Sequence, residues 1–259
     1  MDLKLKDKVI IVTGGSKGIG NGICNILASE GAIPFIVGRN EENVLDAVTA
    51  IKKEGGQVSY AFAELTNPEH CKAAIDKVIS EFGRIDGLVN NAGVNDSVGL
   101  EKGSYEEFME SIKRNLTHYY VMAHYALPEL KKSKGNIVNI GSKTSFTGQG
   151  GTSGYAAANG GRNALTREWA VELLQYNIRV NAVIVAECYT PLYNRWINTF
   201  DKPKEKLKAI TDNIPLENRM TTSQEIANTV AFLLSEKSSH TTGQLVFVDG
   251  GYTHLDRAL

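Results

Sequence analysis

Thr13-Gly14-Gly15-Ser16-Lys17-Gly18-Ile19-Gly20 follows directly on the short apolar run from Val9 to Val12 and opens a stretch of helical periodicity through Ile23, Ile26 and Leu27. Glycines at such a junction let the backbone turn tightly and let a pyrophosphate approach a helix N-terminus with no side chain in the way. A glycine pattern alone carries little weight. Set between a strand and a helix at the front of an alternating chain, it reads as a dinucleotide site. The plain structural alternative is a glycine-rich turn that closes a packed strand–helix unit.

The rest of the chain continues that alternation. Short runs rich in Val and Ile are separated by longer segments of helical period, the pattern of strands buried on both faces by crossover helices. Strands are expected at Val9–Thr13, Pro34–Gly38, Val58–Ala63, Gly87–Asn90, Asn136–Ile140, Arg179–Val185 and Leu245–Val248. The fold class is therefore α/β: a single-domain Rossmann fold over residues 1–259, built on a doubly wound, seven-stranded parallel sheet. One interval breaks the rhythm. Residues 187–223 insert Tyr193, Trp196, Phe200 and a charged stretch between two core elements, and an insertion of this kind usually covers a site.

Composition narrows the partners. The 259 residues are 42% hydrophobic and 22% charged, with a formal net charge of −1 and no basic stripe, which argues against nucleic acid or an anionic membrane as partner. The apolar run at Val9–Val12 is too short for a signal-peptide core or a membrane span, so a cytoplasmic location is expected. Cys24, Cys71 and Cys188 lie far apart without a His or Cys at metal-ligand spacing, and none of the five histidines shows such spacing, so no metal is expected. Cys24 and Cys71 read as core residues and His118 and His124 as structural, while His254 has some prospect of reaching a site.

The glycine turn is joined by Asn90-Asn91-Ala92-Gly93 after the fourth strand, by Asn115, Ser142 and Tyr155, and by Val248-Asp249-Gly250-Gly251 near the end. With these motifs the chain resembles the short-chain dehydrogenase/reductase family over essentially its whole length. That resemblance implies a nicotinamide cofactor held by Gly14, Ser16, Lys17, Gly18, Ile19 and Gly20. It places Asn91, Ala92 and Gly93 on the adenosine side, Glu64 with Leu65 near the adenine, and the segment from Val185 to Thr190 beside the nicotinamide. An oligomer, usually a tetramer joined through helices around residues 103–130 and 154–176, is implied as well. Trp169 and Leu173 would suit either that interface or the core.

The end of the second strand bears on cofactor choice, because a carboxylate there accepts from a ribose 2′-hydroxyl and repels a 2′-phosphate. Gly38-Arg39 supplies no acid, whereas Arg39 and Lys17 are placed to reach a phosphate. NADP is favoured over NAD. The bland reading is that both cations are simply solvated.

Proton exchange with a secondary alcohol near neutral pH is poorly matched to a free phenol, whose pKa is about 10. In the family a Lys four residues beyond the catalytic Tyr supplies a stabilising cation from the same helix face. Here the chain reads Tyr155-Ala156-Ala157-Ala158-Asn159. By resemblance Tyr155 exchanges the proton, Ser142 holds the substrate oxygen and Asn115 anchors an ordered water. Asn159 keeps the spacing and offers a ribose hydrogen bond, but brings no charge. Lys143 is the only nearby cation in sequence, and alternation along the strand should turn it away from Ser142. Asn159 thus reads as an inactivating replacement, engineered or natural, that strongly impairs turnover, or as the mark of a cofactor-binding protein without turnover. The completeness of Asn115, Ser142 and Tyr155 favours the enzyme.

At the substrate loop, Val185-Ala186-Glu187-Cys188-Tyr189-Thr190-Pro191 puts an acid beside the nicotinamide position. A carboxylate there needs hydrogen-bond donors, which a polyhydroxylated substrate supplies. Asn95, Lys143, Gln149, Tyr193 and Trp196 are candidates to join Glu187, Ser142 and Tyr155 in contacting it. The alternative for Glu187 is a loop carboxylate paired with an Arg such as Arg195. Together with the tail from Gly250 to Asp256, these segments resemble L-fucose dehydrogenase and related aldose dehydrogenases, which implies oxidation of the anomeric hydroxyl of a free monosaccharide to a lactone. Carbonyl reductases for acyl or steroid substrates are the rival within the fold.

Overall fold

The computed structural model describes residues 1–255, so Asp256 of the tail lies outside the described residues. The elements run β1 (Val9–Thr13), α1 (Gly18–Ser29), β2 (Ile33–Gly38), α2 (Glu41–Lys53), β3 (Ser59–Phe62), α3 (Pro68–Phe82), β4 (Gly87–Asn90), α4 (Tyr105–Ile112) and α5 (His118–Ser133). They continue with β5 (Asn136–Ser142), α6 (Ser153–Glu172), β6 (Arg179–Val185), α7 (Pro191–Ile197), α8 (Pro203–Thr211), α9 (Ser223–Leu234) and β7 (Leu245–Val248). The strands form one seven-stranded sheet in the order β3-β2-β1-β4-β5-β6-β7, every pairing parallel. This is the doubly wound Rossmann-type sheet expected from the alternation.

Strand alternation decides which helices cover which face. Ile10 and Val12 of β1 join Ile23 and Leu27 of α1 and Ile226 and Val230 of α9 in one core. Val9 and Ile11 point the other way, into a core with Ile75 of α3, Met122 of α5 and Trp169 of α6. Both faces of β1 are therefore dry, which is why it reads as a continuous apolar run. Cys24 and Cys71 are buried in these cores, as their helical positions suggest. Trp169 and Leu173 are also core residues, which removes them from any interface. Among the described residues no helix is long and apolar enough to cross a membrane.

Boundaries shift where a strand meets a functional turn. β5 runs two residues beyond the expected Ile140, pairing Gly141 with Ile184 and Ser142 with Val185. β3 is shorter than expected, because Ala63 leaves the ladder after its N–H donates to the Gly38 carbonyl at 3.0 Å. The 187–223 insertion carries α7 and α8, with Thr190 capping α7 by accepting from the Tyr193 N–H at 3.2 Å.

The reversal of winding lies between β1 and β4, and hydrogen bonds tie their carboxyl ends together. Thr13 Oγ1 accepts from the Asn91 N–H at 2.9 Å and the Ala92 N–H at 3.1 Å. The Asn91 amide donates to the Thr13 carbonyl at 2.8 Å and to that of Gly14 at 3.3 Å. The glycine turn leaves little room: a Cβ on Gly20 would stand 2.2 Å from the Gly14 carbonyl oxygen, while the helical Gly160 has open space around it. Gly20→Ala should accordingly destabilise the fold by about 1–3 kcal/mol through overpacking. Gly160→Ala should stabilise it by about 0.5–1 kcal/mol. Urea midpoints of the two variants check both signs.

Candidate active site

A cavity of about 760 Å³ opens at the carboxyl ends of the strands. Its floor and walls come first from the glycine turn, through Gly14, Ser16, Lys17, Gly18, Ile19 and Gly20. Arg39, Glu64 and Leu65 line one end, and Asn91, Ala92 and Gly93 the middle. Ser142, Tyr155, Val185, Thr190 and Tyr193 line the other end. The site thus spans a crevice outside the carboxyl ends of a parallel sheet at the point where winding reverses.

The residues present fit a dinucleotide on two structural grounds. Lys17, the N-cap of α1, makes no side-chain capping bond, so the first-turn amides of this 12-residue helix are left for a ligand. The close approach of Gly20 to Gly14 shapes a cradle that a Cβ would fill.

At the adenosine end the Arg39 guanidinium donates to Glu64 Oε2 at 3.3 Å. Partial burial pushes the Glu64 carboxyl up, but hydrogen bonds from Thr66 and the Arg39 charge outweigh it and hold the group below its ordinary range. Arg39 is thus already engaged by a carboxylate, which the bland reading of a free surface cation did not include.

At the catalytic end β5 delivers Ser142 and α6 delivers Tyr155. Ser142 Oγ accepts from the Thr144 hydroxyl at 3.1 Å and the Thr144 N–H at 3.3 Å. Asn115 is fully buried in a π-type turn, Lys113–Thr117, between α4 and α5. Its Oδ1 accepts from the Val94 N–H at 2.8 Å, and its amide donates to the Ser111 carbonyl at 3.1 Å. Asn115 therefore braces the loop after β4 from beneath and does not line the cavity.

Asn159 is likewise buried and absent from the cavity wall. Its amide donates to the Tyr155 carbonyl at 2.9 Å, and its Oδ1 accepts from Arg162 Nη1 at 3.1 Å. Arg162, which the sequence reading passed over, is 2% exposed and does line the cavity. Lys143 is therefore not the only cation near Tyr155: the Arg162 Cζ lies 5.9 Å from the Tyr155 ring centroid. The helical repeat held the signal, since residues 155, 159 and 162 stand at i, i+4 and i+7 on one face.

Lys143 departs from its expected course because β5 ends at Ser142 and the chain enters a tight turn, Lys143–Ser145, where strand alternation no longer applies. Its ammonium is buried against the Glu187 carboxylate and sits 3.9 Å above the Tyr252 ring. Glu187 is thus ion-paired, but with Lys143 and not with Arg195. Burial and this carboxylate push the neighbouring Tyr193 phenol up.

Five substrate candidates stand off the cavity wall: Asn95, Gln149 and Trp196, and the ion-paired Lys143 and Glu187. Asn95 Oδ1 accepts from the Ser97 N–H at 3.2 Å, Gln149 is exposed in the loop beyond β5, and Trp196 packs on Tyr193 and Phe200 with centroids 5.1 Å from each. His254 packs against Phe247 at 4.2 Å, away from the site. Asp96 and Arg114 line the cavity and were not singled out, and His118, read as structural, lines it as well. Asp96 Oδ1 accepts from the Ser111 hydroxyl at 2.8 Å, whereas its buried Oδ2 has no partner among the described residues.

The comparisons agree with this geometry. The family model described as enoyl-(acyl carrier protein) reductase matches residues 14–253. The chain belongs to the short-chain dehydrogenase/reductase family. A crystal structure of Cj0485 dehydrogenase shares 47% identity with a TM-score of 0.94, over 100% of this chain and 99% of that one. Cyclopentanol dehydrogenase of Comamonas testosteroni is 33% identical over 96% of this chain and 98% of its own length. L-fucose dehydrogenase of Bos taurus is 32% identical over 97% of this chain and 91% of its own. Members of this family are oxidoreductases that use NAD(P) on small CH–OH substrates.

His118 offers a test of the buried surroundings. Burial first, and the Arg162 charge second, lower its pKa to about 3, so the ring is neutral when folded. Below pH of about 6.5 the unfolded chain takes up a proton that the folded chain refuses, and stability falls by at most about 1.4 kcal/mol per pH unit down to the folded value. Denaturation at pH 7.5 and pH 5 should show that loss in the parent and a smaller one in His118→Phe.

Proposed function

We propose that this chain is an NAD(P)-dependent dehydrogenase that oxidises the anomeric hydroxyl of a free aldose, of the L-fucose type, to a lactone. The observation that carries this reading is Asp96, which lines the cavity and whose buried Oδ2 has no donor among the described residues. An unmet carboxylate oxygen is costly beside an apolar substrate and favourable beside a hydroxyl. The Gly154 N–H donates to the Val98 carbonyl at 3.2 Å, which holds this loop against the start of α6, close to Tyr155. The largely buried Lys143–Glu187 ion pair lies next to Ser142 in the chain through Lys143.

In this reading Ser142 donates to the substrate oxygen and Tyr155 takes the hydroxyl proton as the carbon becomes a carbonyl. A bound nicotinamide supplies the hydride acceptor. NADP is favoured because the end of β2 offers Arg39 and no acid, with Glu64 holding that cation over the adenosine end. A homotetramer goes with this reading: Tyr105, Met109 and Tyr120 leave large apolar surface exposed on α4 and α5. The cyclopentanol dehydrogenase relative favours a second reading, a dehydrogenase of small apolar secondary alcohols.

Reduction of NADP and NAD with a panel of aldoses, L-fucose among them, and with cyclopentanol separates the two. Aldoses should be preferred, and Asp96→Asn should lower kcat/KM for the best aldose about tenfold or more while changing cyclopentanol little. Preference for cyclopentanol, with Asp96→Asn neutral, would remove the sugar assignment. For the cofactor, Arg39→Ala should raise KM for NADP about tenfold or more, the scale of a lost charge-assisted contact, and leave that for NAD unchanged. Equal effects on both would leave NADP without its support.

A further inference from the structure

Arg162 is a cation without a counter-ion. Nε donates to the Asn115 carbonyl at 2.7 Å, and Nη1 donates to the Ile140 carbonyl at 3.1 Å and to Asn159 Oδ1 at 3.1 Å. All three acceptors are neutral. Among the described residues no carboxylate forms an ion pair with it. Nη2, though buried, has no hydrogen-bond partner among the described residues, and it lies where a Cβ on Gly93 would come within 2.8 Å. Gly93 and Arg162 both line the cavity.

Burying an ion costs several kcal/mol unless charge and hydrogen bonds compensate. A fold that keeps a guanidinium here, with one nitrogen unmet, fits a site whose ligand completes the set. The ionisable neighbours of Arg162 do not complete it. His118 is held neutral, and Tyr119, whose ring lies 4.3 Å from the Arg162 Cζ, is buried with its phenol pushed up and donates to the Ile140 carbonyl at 3.0 Å. Lys143 is already neutralised by Glu187. The half-buried Tyr155 remains, on the same helix face and open to the cavity.

We propose that Arg162 is the catalytic cation of this active site, contacting the bound nucleotide through Nη2 and stabilising the Tyr155 phenolate, in place of the lysine that Asn159 does not supply. The proposal rests on the oxidoreductase reading but not on the sugar. Asn159 then has a different task from the one its position suggests: it accepts from Nη1 and helps fix the guanidinium plane. The site is not left uncharged by Asn159, and this chain is expected to turn over as it stands. During alcohol oxidation the substrate hydroxyl proton passes to the Tyr155 oxygen, and the fixed positive charge favours the anionic form that receives it.

The test uses the intact chain and binding of NADPH and NADH, followed by their fluorescence, so it needs no substrate. Arg162→Gln removes the charge and keeps a donor. It should weaken binding of the preferred cofactor about tenfold or more, and lower kcat by about a hundredfold or more on whichever alcohol the parent oxidises. Adding Asn159→Lys to that variant moves the cation back one helical turn and should recover most of both losses. Asn159→Lys alone sets two cations side by side and should improve neither binding nor turnover. That single variant decides the matter even where Arg162→Gln fails to fold, as judged by its melting temperature. A gain on Asn159→Lys alone, or a folded Arg162→Gln that binds cofactor within about twofold of the parent, overturns the proposal. Failure of every aldose, with the binding losses and their rescue intact, would sink the sugar reading and leave the role of Arg162 standing.

Discussion

The Arg162 guanidinium ties together three segments that meet nowhere else in sequence: the end of β5 through Ile140, the π-type turn through Asn115, and α6 through its own helix and Asn159. The catalytic end of the cavity depends on that junction. Tyr155 is placed by α6, Ser142 by β5, and the loop after β4 is braced by Asn115. A single planar donor fork bonds all three, a task for which a flexible ammonium is poorly suited. In the reading proposed for Arg162, structural support and positive charge are combined in one side chain, where the family pattern separates them.

The opposite end of the cavity is governed by a different constraint. Thr13 and Asn91 exchange hydrogen bonds across the reversal in winding, so that the glycine turn and the loop after β4 face each other at fixed separation. This wall of the cavity is therefore backbone held in place by two side chains, Thr13 and Asn91. The Arg39–Glu64 pair at one end of the cavity is more open, with Arg39 79% exposed. Neither side chain takes part in the core.

The architecture was legible because strand burial on both faces writes continuous apolar runs, and seven of them stood in the chain with helical periods between. The glycine turn was legible from its place between a strand and a helix, and Asn91, Ser142 and Tyr155 through the family resemblance; all of them line one cavity. Arg162 escaped because cations were sought beside Tyr155 and Ser142 in sequence, whereas the helix brings forward a residue seven positions on. Lys143 was misjudged because a strand rule was carried one residue past the strand's end. Asp96 carried no local signal; its significance is an unmet acceptor, which only a three-dimensional hydrogen-bond inventory shows. Gln149 and Trp196 looked suited to a sugar by residue type, yet type says nothing of which way a loop or a short helix turns.

The sheet order also bears on how the chain is made. β1 pairs with β2, which follows it closely, but its other edge waits for β4, whose first residue is Gly87. Until then a fully apolar strand presents an open edge, and the Thr13 hydroxyl lacks the Asn91 and Ala92 amides that later bind it. Non-local parallel pairing of this kind is intrinsically slow and exposes the nascent chain to misassociation. The catalytic end comes later still, since Arg162 must emerge before β5 and the π-type turn are joined. A chain released early would thus hold half of a nucleotide cradle and no chemistry.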